Sequence, residues 1–407
     1  MSIWTVTRLG RKGDGVVHGA EGQALAPLVL PGEVIEGQPI RGRITAPRIL
    51  TPSAARVRPV CAHYRACGGC ALMHASDEFT AAWKVQVVQA ALAAKGIAAP
   101  APGLHVSPLR SRRRAVLSGR RTKKGALLGF HAKASDVIVD ISECHVLVPQ
   151  ITAALPLLRQ IVMAGASRSA ELSLTVIHGP AGLDVAVRGG KPMDASLFRI
   201  LATLAEDADL ARLDWDGEAI TRRPPFLPMG RAQVLPPPGA FLQATAEGET
   251  ALLTEVRAAV GDARRVLDLF CGVGTFTLPL AEQAEIHAVE GVAASIAALD
   301  SAWRSATGLR QVSTEIRDLA RRPLQPDELA HFDAIVIDPP RAGAAAQVAQ
   351  IAAAQTPVIA LVSCDPVTFA ADLSVLVAAG YKIARMSVVD QFRFSPHVEI
   401  TATLSRR

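Results

Sequence analysis

RVLDLFCGVGT, residues 265–275, is a short apolar run that ends on an aspartate and breaks into a glycine-rich turn. An unbroken apolar run reads as a strand buried on both faces, and glycines admit backbone conformations that larger residues avoid. Asp268 ends the strand, and Gly272 and Gly274 make the turn into the helix-compatible TFTLPLAEQ. EIHAVE predicts the next strand, ending on Glu290, 22 residues after Asp268, where a carboxylate can accept hydrogen bonds from ribose hydroxyls. Thr277 stands where a dinucleotide fingerprint would carry its third glycine. A cofactor without a pyrophosphate, such as S-adenosylmethionine, therefore fits better than NAD. A helix is expected over 244–259, and further strands at 332–337, 357–362, 383–389 and 398–404, divided by helical segments. That alternation predicts an α/β domain with a mostly parallel, doubly wound sheet.

Two motifs fall at the expected carboxyl ends of these strands, where ligands of such sheets bind, and a third starts the last strand. IVIDPPRAG places Asp338 before two prolines, whose fixed φ and missing donors stiffen the exit. VIALVSCDP puts Cys364 between polar neighbours, which argues against simple core packing, and a thiolate there could add to an electron-poor ring carbon. SPHVEI offers Glu399 as general base, with His397 on the same side by two-residue alternation as its competitor.

Upstream, Cys61, Cys67 and Cys70 cluster within ten residues, and Cys144 is the obvious fourth ligand. Four thiolates suit zinc or an iron–sulfur cluster, and the loose first spacing favours the cluster. Residues 107–133 carry nine Lys or Arg and no acid, which reads as a nucleic-acid surface. A helix is expected from Ser76 or Asp77 to Gly96, and strands at 115–118, 126–130 and 137–141. Short glycine-punctuated β runs before residue 50 predict a small barrel. The chain thus divides into a β-barrel over 1–55, a central cluster-bearing α+β domain over 56–238, and a catalytic domain over 239–407.

With 407 residues, 50% of them apolar and 20% charged, the chain is globular rather than disordered. A net charge of +6 favours a polyanionic partner, whereas only 4% aromatics argues against a broad base-stacking platform. No signal peptide or membrane span is evident, so a cytoplasmic protein without membrane contact is expected, and six cysteines are too few for a disulfide scaffold.

DLFCGVGTFTLPLA, DPPRAG and SCDPVTFAADL together resemble the S-adenosylmethionine-dependent RNA uridine C5-methyltransferases, which form 5-methyluridine. The resemblance implies a Rossmann-like class I methyltransferase domain, a TRAM-like N-terminal RNA-binding barrel, and a [4Fe–4S] cluster on Cys61, Cys67, Cys70 and Cys144. It implies that Gln243, Gly272, Glu290 and Asp338 line the cofactor site, with Asp268 and Gly274 in the same turn and Asp318 at the adenine end. Cys364 becomes the nucleophile and Glu399 the base that removes the C5 proton. The substrate it implies is structured RNA with a looped or flipped uridine, and ribosomal RNA is expected over transfer RNA. A catalytically inactive iron–sulfur RNA-binding protein is the alternative of another class, and retention of Cys364 and Glu399 argues against it. Thr245 departs from the family's asparagine, Asp300 and Trp303 stand near an expected asparagine pair, and Arg393 replaces a usual proline.

Overall fold

The structure is a computed structural model and describes residues 2–406. Its C-terminal part is an eight-stranded sheet. In spatial order the strands are Val312–Ile316, Glu285–Glu290, Arg265–Leu269, Ala334–Ile337, Val358–Ser363, Glu399–Ser405, Lys382–Asp390 and Gly103–Val106. The first five are parallel, and Glu399–Ser405 runs antiparallel to both of its neighbours. From Arg265–Leu269 the chain winds outward to Val312–Ile316, then returns to the opposite side of its starting strand at Ala334–Ile337. This reversal opens the crevice in which such sheets hold ligands. Leu267, Leu269, Ile335, Ile337, Ile359 and Leu361 form one buried face of the parallel strands. That is the doubly wound sheet expected, with one edge strand, Val312–Ile316, in addition.

The outermost strand has a different origin. Gly103–Val106 pairs in parallel with Ser387–Asp390, although it lies within the stretch assigned to the central domain. The helix Asp77–Ala93 packs against the same sheet through Val88 and Leu92. Ser76 starts that helix by accepting from the Phe79 N–H at 3.2 Å. Residues 77–106 meet the catalytic sheet in two ways: Val88 and Leu92 bury apolar surface against it, and the exposed strand Gly103–Val106 joins its edge by backbone pairing.

The intervening segment builds a seven-stranded mixed sheet. One face is covered by the helices Leu155–Gly165 and Ala195–Asp207, which bury Leu158, Ile161, Val162, Leu197 and Leu201. The N-terminal residues make a five-stranded antiparallel sheet around Trp4, Val6, Val17, Val29, Ile35 and Ile44. Its outer strand Gly22–Ala26 is bordered by residues 42–44, through Leu25 N–H to Gly42 O and Ile44 N–H to Leu25 O. Among the described residues no helix is long and apolar enough to cross a membrane.

Trp215 is wedged between two glycines, and a Cβ on Gly165 would lie 2.0 Å from its ring. Replacing Gly165 by Ala overpacks this contact and should destabilise the protein by about 1–3 kcal/mol, read as a lower urea midpoint. An unchanged midpoint would mean that the Trp215 ring can move aside.

Candidate active site

Asp268 and Asp338 flank the crevice, one at the end of each strand bordering the reversal. Asp268 is fully buried; its Oδ2 accepts from Thr277 Oγ1 at 2.6 Å, and its Oδ1 has no partner. Burial, reinforced by the charge of Asp338, pushes the Asp268 carboxyl up to about 7. Asp338 keeps some exposed surface, yet it sits so deep in the cleft that burial pushes it to about 7 as well. Between them the chain turns through Phe270 (φ 63°), Gly272 (φ 57°) and Gly274 (φ 100°). Open space lies where a Gly272 Cβ would project, which leaves room for a ligand against the backbone. Glu290 accepts from Gly272 N–H at 3.1 Å and from Val292 N–H at 2.9 Å, so its carboxylate is held at the rim of this turn. The unpartnered Asp268 oxygen, the open cradle and the fixed Glu290 fit a nucleoside carrying a cationic centre. Asp318 is exposed beyond the end of Val312–Ile316, where it accepts from Ala320 N–H at 3.0 Å.

The reactive end is set by strand register. Ser363 pairs with Ile400, and Val389 pairs with Glu399. Continuing the first ladder by one step places Cys364 opposite Glu399, across adjoining strand ends. Burial pushes the Cys364 thiol up to about 11; the charges of Glu399 and Asp338 add to the rise, and Arg341 opposes it. Glu399 is buried, and burial together with Asp338 holds its carboxyl well above the usual range. His397 is exposed and lies 3.2 Å from an Arg341 nitrogen. Burial of the ring, with the cations Arg341, Lys84 and Arg112 nearby, lowers its pKa. Of the two candidate bases, Glu399 is the one inside the pocket.

Gln391 was not singled out in the sequence, although it occupies the motif DQFRFSPHVE. Its Nε2 donates to Gln243 Oε1 at 2.6 Å, and its Oε1 accepts from Ala244 N–H at 2.8 Å. Gln243 Nε2 in turn approaches Asp338 Oδ2 at 3.5 Å. Thr245 is buried and caps the helix Ala246–Val260, accepting from Gly248 N–H at 2.9 Å, so its hydroxyl has a local use at the position of the departure. Asp365 caps the helix that follows Cys364, accepting from Val367 N–H, and it meets two guanidinium groups, Arg11 at 3.4 Å and Arg341 at 3.7 Å.

Cys61, Cys67, Cys70 and Cys144 line one cavity with Arg112, Tyr64, Met73 and Arg393. Burial pushes the Cys70 thiol up to about 12, and the other three cysteines add to the rise. Among the described residues no three Cys, His or carboxylate side chains are grouped so as to hold a single metal ion. The four thiols share this cavity but form no such group, so the cluster expected from the sequence is not shown by the structure.

The basic stretch is divided: Arg110, Lys123 and Lys124 are exposed, whereas three of its arginines are partly buried. Arg112, Arg113 and Arg114 are partly buried and turned inward: Arg112 faces the cysteine cavity, Arg113 pairs with Glu249, and Arg114 donates to Ala240 O at 2.9 Å. They tie elements together and are not available as a free cationic surface. Lys133 and Arg120 are also engaged, with Asp14 and Glu171.

The sheet with its crevice, and the open glycine turn beneath two carboxyls, define a class I S-adenosylmethionine-dependent methyltransferase. Residues 236–407 match the family model described as tRNA (Uracil-5-)-methyltransferase. An uncharacterised RNA methyltransferase of Brucella suis is 44% identical over 99% of this chain and 97% of its own length. A 23S rRNA (uracil(1939)-C(5))-methyltransferase of Alkalilimnicola ehrlichii is 31% identical, over 98% and 96%. The chain belongs to the S-adenosylmethionine-dependent RNA uridine-C5 methyltransferase family. The fold is shared with a Pyrococcus abyssi tRNA (uracil-54, C5)-methyltransferase solved with S-adenosyl-L-homocysteine, at TM-score 0.76 and 22% identity over 98% of this chain and 99% of that one. The expectation of ribosomal RNA over transfer RNA is corrected by the family model, whose description is a transfer-RNA methyltransferase; the structural match at 22% identity shows the shared fold.

Asp268 has a folded-state pKa near 7 against about 4 unfolded, so folding favours its protonated form. Its contribution is neutral below pH 4, turns increasingly destabilising as pH rises from about 4 to about 7, and stays constant above that. Asp268→Asn should therefore stabilise the ligand-free protein by roughly 1–3 kcal/mol at pH 8, with the gain vanishing near pH 4. Urea titrations at the two pH values test this; a less stable variant at pH 8 contradicts it.

Proposed function

We propose that this enzyme methylates C5 of a looped or flipped uridine in transfer RNA, with Cys364 as nucleophile and Glu399 as base. The observation that carries the reading is the register that sets Cys364 opposite Glu399 beside Asp338, at the mouth of the cofactor crevice. The family model supports the choice of transfer RNA.

Uridine C5 is too poor a nucleophile to be methylated unaided. Cys364 Sγ attacks C6, forming an S–C bond and shifting electron density to C5 as an enolate-like species. Bound S-adenosylmethionine supplies an electrophilic methyl group to C5. Glu399 then takes the C5 proton, and the electron pair of that C–H bond restores the ring double bond as the S–C bond breaks. Gln391 and Gln243 form a polar wall from which ring oxygens and nitrogens can be held in place. Asp268, Asp338 and Glu290 are proposed to hold the cofactor, with Gly272 and Gly274 shaping its turn, Gln243 at its edge and Asp318 at the adenine end.

Cys61, Cys67, Cys70 and Cys144 are proposed to hold a [4Fe–4S] cluster; methyl transfer consumes no electrons, so its role there is to fix the chain around it. Residues 1–55 are proposed as a TRAM-like RNA-binding unit, beside a central unit to 238 and a catalytic one from 239, with residues 77–106 docked on the last.

Four sets of outcomes test this reading. Cys364→Ala should abolish methyl transfer while RNA affinity changes less than about threefold, and Glu399→Gln should trap a methylated covalent adduct with RNA. Labelled S-adenosylmethionine with transfer RNA and ribosomal RNA as separate substrates decides between them; label confined to ribosomal RNA overturns the transfer-RNA reading. Because Asp268 and Asp338 sit near 7 when empty, binding a sulfonium at pH 7 should release protons, and affinity should fall as pH drops from 8 to 6. Calorimetry in buffers of different ionisation enthalpy measures the release. Protein purified without oxygen should carry about four irons and absorb near the visible sulfide-to-iron bands, and Cys70→Ala should lose both.

A further inference from the structure

Lys84 is wholly buried on the helix Asp77–Ala93, far in sequence from the catalytic motifs, and the proposed chemistry does not use it. Its ammonium pairs with the Asp390 carboxylate and donates to Phe392 O at 3.1 Å. Asp390 also accepts from Phe392 N–H at 3.1 Å, so these contacts bracket Gln391 on both sides. Four residues after Asp390, Phe394 takes a left-handed φ of 62°, and its carbonyl accepts from Ala71 and Leu72 N–H at 2.7 and 2.9 Å. Arg393 pairs with Asp77 on the same helix, and Arg112 lies 5.8 Å over the Phe392 ring. The loop emerges from this grip at His397 and delivers Glu399 into the pocket.

A buried ion pair is a poor source of stability, since apolar residues of similar volume often serve equally well. What it supplies is a directional constraint, and here the constrained groups are the two ends of the segment that carries Gln391. We propose that Lys84 is a positioning residue for removal of the C5 proton: through Asp390 and the Phe392 carbonyl it fixes the 390–398 loop so that Glu399 and Gln391 reach the uracil. The inference rests on the assignment of Glu399 as base made above.

The test separates proton removal from the steps before it. Lys84→Met leaves Asp390 buried without a partner and can misfold, so the neutral double variant Lys84→Met/Asp390→Asn is made beside it. For the double variant, kcat should fall tenfold or more, on the order of the loss from displacing a catalytic group by about 1 Å, while KM for RNA changes less than about threefold. A methylated adduct through Cys364 should accumulate during turnover, as in Glu399→Gln. With RNA carrying 5-fluorouridine at the target, C5 bears no removable proton, and the adduct should form at the parent rate. If adduct formation on the fluorinated RNA slows as much as turnover does, or if turnover is unchanged, Lys84 has no selective effect on the proton step and the inference fails. If Glu399→Gln itself accumulates no adduct, the base assignment fails and takes this inference with it; accumulation in Glu399→Gln but not in the Lys84 variants overturns this inference alone.

Discussion

Four acidic groups, Asp268, Asp338, Cys364 and Glu399, gather at one edge of the sheet: the first three at the carboxyl ends of parallel strands, and Glu399 at the start of the antiparallel strand beside them. Burial is the largest cause of the raised proton affinity of all four, and the charge of Asp338 adds to it at Asp268, Cys364 and Glu399. That arrangement is relieved by a cation, and a sulfonium is one. On the cofactor role proposed for them, these carboxyls lose their attraction once methyl transfer turns the sulfonium into a neutral thioether. Selection of the cofactor and release of the spent form follow from one electrostatic feature.

The site is assembled from parts distant in sequence, and the junctions between them are polar. Arg113 with Glu249, Arg393 with Asp77, Lys133 with Asp14, and Arg11 with Asp365 each join segments that linear reading would separate. Partly buried pairs of this kind specify which surfaces meet, because a slipped interface would leave a charge without its partner. The Arg112–Arg114 run shows the consequence. As sequence it is a cationic patch; in the folded chain it is a set of pins between the cysteine cavity, the strand it begins and the Gln243 loop.

Legibility followed the range of the interaction that determines each element. The buried strands ending at Asp268, Asp338 and Cys364 advertise themselves as apolar runs, because both faces are covered and every residue must be apolar. Glycines at 272 and 274 mark a turn that needs positive φ, and they were readable for that reason. Val312–Ile316 was not readable: it lies at the sheet edge, and its VSTEI sequence is half polar because one side meets solvent. Gly103–Val106 was not readable either, since its partner lies at 387–390 and nothing local specifies a pairing at that separation. Charge gives no hint of its own burial, which is why Lys84 passed unnoticed in a helix whose apolar stripe was plain, and why Arg112 looked like surface. Gln391 sat inside a quoted motif but lacked the acid–base chemistry that draws attention to a residue.

A thiol held near 11 is a reluctant nucleophile, with roughly one molecule in ten thousand ionised at pH 7. The same neighbours explain how this is compatible with attack on C6. Burial is the largest cause of the rise and the charges of Glu399 and Asp338 add to it; a sulfonium placed among these carboxyls would offset the added part. Arg341 already acts in this direction from the rim. The low thiolate population of the empty site therefore belongs to a resting state, in which a protonated sulfur resists oxidation and stray electrophiles. On the proposed mechanism the positive charge of the cofactor favours ionisation of the sulfur and offsets the desolvation that burial imposes, so the nucleophile is produced where its target is already in place.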